Sequence, residues 1–102
     1  MNKISIARSE GYSPRAIYAA VERSLDALNS TDIFNSKSII IKPNLCYYWD
    51  YTTGQTTDPR VVSSIIDLIR EKSTVDVDIC IAEADASAMK TKYAFKMLGY
   101  EK

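Results

Sequence analysis

Lys42 stands where an apolar run meets a proline and an asparagine, in "SIIIKPNL". At such a junction a lysine is a fixed cation for an anionic ligand, or, once desolvated, an amine nucleophile. It also has a structural use, its stem covering the end of a sheet while the ammonium stays in water. Pro43 confines Lys42 to extended backbone and so fixes its direction. Asn44 both donates and accepts, which suits a ligand contact and a turn equally well. Further on, "IAEADAS" sets Glu83 and Asp85 one residue apart. Paired carboxylates bind Mg²⁺ or another hard cation, or act as a general acid and base. Their plainer use is to solvate a strand end and cap the following helix. Lys42, Asn44, Glu83 and Asp85 are therefore the candidate ligand-binding residues, with Glu83 and Asp85 the candidate metal ligands. No pattern singles out a catalytic residue.

Tyr47, Tyr48, Trp49 and Tyr51 crowd one short stretch of the same connection, and Cys46 stands beside them. An aromatic cluster of this size points to an interface or a pocket wall. Stacking on a nucleobase is the other use of such rings, but 13 basic and 13 acidic residues cancel. That balance gives no electrostatic footing for nucleic acid or an anionic membrane. Cys46 is a weak metal-ligand candidate, and Cys80 is expected in buried packing. Thr56, Thr57 and Asp58 precede a helix start, where free N–H groups attract anions. An aspartate at the cap already fills that role, so capping is the favoured reading.

Several chemistries are excluded by composition. The chain has no histidine, so it holds no Ser-His or Cys-His couple and no histidine metal site. Three glycines form neither a Walker loop nor a dinucleotide fingerprint. Two cysteines without CxxC spacing, and no long apolar segment, fit a reduced, cytoplasmic protein.

The elements that position these residues follow from periodicity. "KISIAR" (3–8) alternates apolar and polar residues and reads as a strand. Ser13 and Pro14 open a helix running to about Leu28, with Ile17, Val21, Leu25 and Leu28 on one face. "SIIIKP" reads as a strand covered on both faces. Asp58 and Pro59 repeat the helix start, and Val62, Ile65, Ile66 and Ile69 form the buried stripe. "VDVDICIAE" is the third strand, with Val75, Val77, Ile79 and Ile81 on one face. "SAMKTKYAFKMLGY" is helical, with Gly99 as its left-handed C-terminal cap. This β-α-β-α-β-α order predicts an α/β fold, a three-layer α/β/α sandwich on a mainly parallel sheet. It is Rossmann-like without the dinucleotide fingerprint. The 102 residues form one domain. Ligands in such sheets bind beyond the carboxyl ends of the strands. That rim collects "SEGYS", "KPNLCYYWDYTTGQTTD" and "EADAS".

"IIIKPNL", "GQTTDPRVV", "ICIAEADA" and "YAFKMLGY", in this order, resemble the N-terminal part of the domain-of-unknown-function family 362. The resemblance covers almost the whole chain. It implies an α/β fold and a redox setting, since some members carry ferredoxin-type iron–sulfur modules, and so a ferredoxin-like partner. This chain has no cysteine-rich cluster motif and cannot build a four-cysteine iron–sulfur site alone. A divalent cation is the cofactor its own residues allow. Family domains are longer, so the chain is expected to be a truncated or partial version. An incomplete sheet leaves an exposed edge, which favours a homo-oligomer. Two functions follow: a rim that binds a small anionic or metal-complexed ligand, or a non-catalytic interaction module using the aromatic loop 47–51.

Overall fold

In the computed structural model the described residues are 2–28, 31–45, 51–84, 91, 93, 95 and 98–100. Helix α1 spans Pro14–Ala27. Its start is the one expected: the Ser13 hydroxyl accepts from the Ala16 N–H at 3.1 Å, and Pro14 takes the first helical position. Strand β1 is Ser38–Ile41, helix α2 is Pro59–Lys72, and strand β2 is Asp78–Ile81. Short 3₁₀ turns occupy Thr31–Asn35 and Tyr51–Thr53. Residues 91, 93 and 95 are helical, and Gly99 after them has φ +82°, as its capping role requires.

β1 and β2 pair in parallel, with Ser38 opposite Asp78 and Ile41 opposite Ile81, and α2 forms the crossover. The ladder is prolonged at both ends. The Asp78 N–H donates to the Lys37 carbonyl and the Ala82 N–H to the Ile41 carbonyl, both at 2.9 Å. The fold is therefore mixed α/β, with two helices and a two-stranded parallel sheet among the described residues.

The core lies between the sheet and the helices. Phe34, Leu68 and Ile69 are buried, and Tyr18, Val21, Leu25, Ile39, Ile65 and Ile79 pack on them. Each such aliphatic side chain contributes about 1.5–3 kcal/mol when taken fully from water. Two polar contacts fasten α1 to α2: the Tyr18 hydroxyl donates to Glu71, and Lys72 lies 3.1 Å from Glu22. A smaller cluster joins Leu45 to Leu98, with Phe95 and Tyr100 against it.

Four expectations need correction. Residues 3–8 join no ladder, and Ile4 and Ile6 are 88% and 92% exposed. Alternation specifies two faces, but a strand also needs an edge to pair with, and that is a tertiary contribution. β1 is covered on one face only among the described residues. Ile39 and Ile41 face the core, whereas Ile40 is 69% exposed. Cys80, opposite Ile40, shares that open face and is an exposed free thiol rather than core. On α2, Leu68 rather than Ile66 completes the buried set with Val62 and Ile69. No helix among the described residues is long and apolar enough to cross a membrane.

Candidate functional site

Lys42 and Glu83 follow the ends of adjacent strands, and the parallel register brings them together. The Lys42 ammonium lies 3.0 Å from Glu83 Oε1. The two side chains differ sharply in exposure, 64% for Lys42 against 8% for Glu83. Burial alone pushes the Glu83 carboxyl up, but donation from the Ala84 N–H, the Lys42 ammonium and the Leu45 N–H outweighs it and holds the group below its ordinary value. The Ala84 bond is 2.9 Å long. Glu83 is thus a fixed carboxylate whose lone pairs are largely engaged. Lys42 is solvated and lacks the desolvation that a lysine nucleophile needs, but an ammonium has three donors and the contact with Glu83 Oε1 takes one.

Asn44 is bonded within the chain itself. Its side-chain amide donates to the Gln55 carbonyl at 2.9 Å, and its backbone N–H donates to the Thr57 hydroxyl at 3.0 Å. The Thr57 N–H returns a bond to the Asn44 carbonyl at 2.7 Å. These bonds close the base of the connection, so residues 45–56 leave and return at one point. A loop with closed ends can be long at little entropic cost. Pro43 beside it is buried, which fixes the backbone leaving Lys42.

Thr57 leads into the α2 cap. Asp58 Oδ1 accepts from the Arg60 N–H at 2.9 Å, the cap that the Asp-Pro pair predicts. The Arg60 side chain also grips Asp58, with Nη2 2.7 Å from Oδ2 and Nε 3.1 Å from both oxygens. Burial works against the Asp58 charge, yet the Arg60 bonds hold its carboxyl below the ordinary range. The Arg60 guanidinium carbon lies 4.8 Å from the Tyr51 ring centre and 5.4 Å from that of Tyr12. Sequence reading missed Arg60, Tyr12 and the staple role of Thr57. Their partners are distant along the chain, and no local spacing reveals them.

Two clefts flank this node. One, of about 870 Å³, is lined by Arg8, Glu10, Tyr12, Ile17, Val21 and Asp58. The other, of about 750 Å³, is lined by Pro59, Arg60, Val62, Ile66, Ile81 and Tyr100. Lys42 and Glu83 line neither. Among the described residues no group of three or more histidine, cysteine or acidic side chains could hold a metal. Glu83 already faces a cation, and a metal there would have to displace Lys42. Asp85, Cys46, Tyr47, Tyr48 and Trp49 lie outside the described residues, and Tyr51 is 39% exposed against Arg60.

These features define a mixed α/β domain whose strand ends carry a lysine–glutamate pair beside a closed loop. Residues 39–102 match the family described as Domain of unknown function (DUF362), and the chain belongs to that family. Comparisons with the curated proteins and with the solved structures return no match.

Proposed function

We propose that the rim beyond β1 and β2 binds a small anionic ligand through Lys42. The observation that carries this reading is the unequal pair: an exposed ammonium pinned by a buried, ionised Glu83. Glu83 holds the cation at a fixed point, and the remaining ammonium donors face outward for an oxyanion. Asn44 then shapes the site through its bonds to Gln55 and Thr57 instead of touching the ligand. Metal-complexed ligand binding through Glu83 and Asp85 is the less favoured form, since Glu83 already serves Lys42 and two N–H groups.

Inorganic phosphate, titrated calorimetrically, tests the site. Binding by the parent chain with at least a tenfold loss in Lys42→Ala is expected. Equal affinity in the two proteins would overturn the assignment.

The exposure of Ile4, Ile6 and Ile40 favours a second reading, a surface for association with another copy of the chain. The aromatic loop 47–51 would join that surface. Sedimentation velocity over a range of concentrations separates the two readings, because a monomer at high concentration ends the second.

A further inference from the structure

We propose that Arg60 is the positioning residue of this rim, the bolt that fixes its first two connections to each other; its functional part rests on the anion-binding reading above. Tyr12 belongs to the connection before α1, and Tyr51 to the long connection after β1. Arg60 lies within 5.4 Å of one ring centre and 4.8 Å of the other, and an edge of the same guanidinium is held by Asp58. Only a planar cation meets two ring faces while its edge bonds a carboxylate.

The chain of contacts then reaches the candidate ligand group. Thr57 precedes Asp58 and is stapled to Asn44 by two bonds of 3.0 and 2.7 Å. Asn44 is two residues from Lys42, with buried Pro43 between them. The Tyr100 hydroxyl donates to the Thr57 carbonyl and secures the same point from the far end of the chain. Residues 57–60 therefore receive contacts from Tyr12, Asn44, Tyr51 and Tyr100, and those of the two outer rings, Tyr12 and Tyr51, are made by Arg60.

The test compares Arg60→Lys, Tyr51→Phe and Tyr51→Leu with the parent chain by amide hydrogen exchange, phosphate titration and melting. Arg60→Lys and Tyr51→Leu should exchange faster at residues 9–13 and 51–57 and bind phosphate about two- to fivefold more weakly. Tyr51→Phe keeps the ring and should match the parent in both. Unchanged exchange in Arg60→Lys overturns the proposal and leaves the Lys42 reading standing. Faster exchange with parental phosphate affinity overturns it too, since Arg60 would then be structural alone. Faster exchange in a protein whose parent binds no phosphate ends the anion reading and overturns the positioning role with it, leaving Arg60 a structural contact. Should Arg60→Lys fail to fold, Tyr51→Leu against Tyr51→Phe decides the same question.

Discussion

The Lys42 ammonium lies 3.0 Å from the Glu83 carboxylate, and this contact joins the ends of two neighbouring strands. It is an asymmetric pair, because only the carboxylate is withdrawn from water. Removing Glu83 leaves the Ala84 and Leu45 N–H groups without their acceptor. Removing Lys42 leaves Glu83 with both of those donors.

Glu83→Ala should therefore destabilise the fold by about 2–3 kcal/mol, and Lys42→Ala by about 1 kcal/mol or less. Urea unfolding of both variants checks the ranking. Equal losses would mean that the backbone donors contribute little.

Acid should expose the same group. The folded values of Glu83 and Asp58 lie below their ordinary values of 4.5 and 3.8, so the unfolded chain takes up protons first as pH falls. Their stabilisation is complete above those ordinary values and is lost as pH drops towards the folded ones. The urea midpoint should hold level down to about pH 5 and then fall. Glu83→Gln should flatten the descent, while its neutral side chain still accepts from one N–H group.

At the alkaline end the sign reverses. The hydrogen bond to Glu71, then burial, pushes Tyr18 up to about 12 from 10.0. Burial, then the Asp58 charge, pushes Tyr100 up to about 12 as well. The unfolded chain therefore loses these protons first. Stability from both is complete below about pH 10 and disappears as pH rises through about 12. Phenylalanine at either position should shallow the alkaline decline, and a spectrophotometric tyrosinate titration should lose one late-titrating group.

Much of the fold was legible because its signals are local. Ser13-Pro14 and Asp58-Pro59 marked both helix starts, and alternation in "VDVDICIA" assigned Ile79 to the core and Asp78 to solvent. The rim rule likewise placed Lys42 and Glu83 together, since parallel strands end side by side. What the sequence withheld is set by distant partners. Nothing near Ile4 or Ile6 says whether an edge is there to pair with. Nothing near Asn44 says that its donors go to Gln55 and Thr57. Arg60 looks like a solvated first-turn arginine until Tyr12 and Tyr51 are brought beside it.

The loop staple gives a further measurable consequence. Thr57→Val keeps the shape of Thr57 but removes the oxygen that accepts from Asn44. A loss of about 1 kcal/mol is expected, as for one partly exposed hydrogen bond. Asn44→Ala should cost a similar amount through Gln55. The two effects should couple, since both bonds close one loop base. Strictly additive losses in a double-mutant cycle would show that the bonds act independently.

Asp58 offers the sharpest separation of two roles held by one side chain. Its Oδ1 caps α2 through the Arg60 N–H, while both oxygens bind the Arg60 guanidinium. Asparagine keeps a capping oxygen but loses the charge, whereas alanine loses both. Asp58→Ala should cost about 1–2 kcal/mol, and Asp58→Asn about half of that. The difference between them reports the cap, and the residual cost of asparagine reports the ion pair. Asp58→Asn should also leave Arg60 gripped by fewer bonds, so exchange at residues 51–57 should rise while α2 itself stays protected. If Asp58→Asn proves as costly as Asp58→Ala, the charge pair and not the cap holds the start of α2.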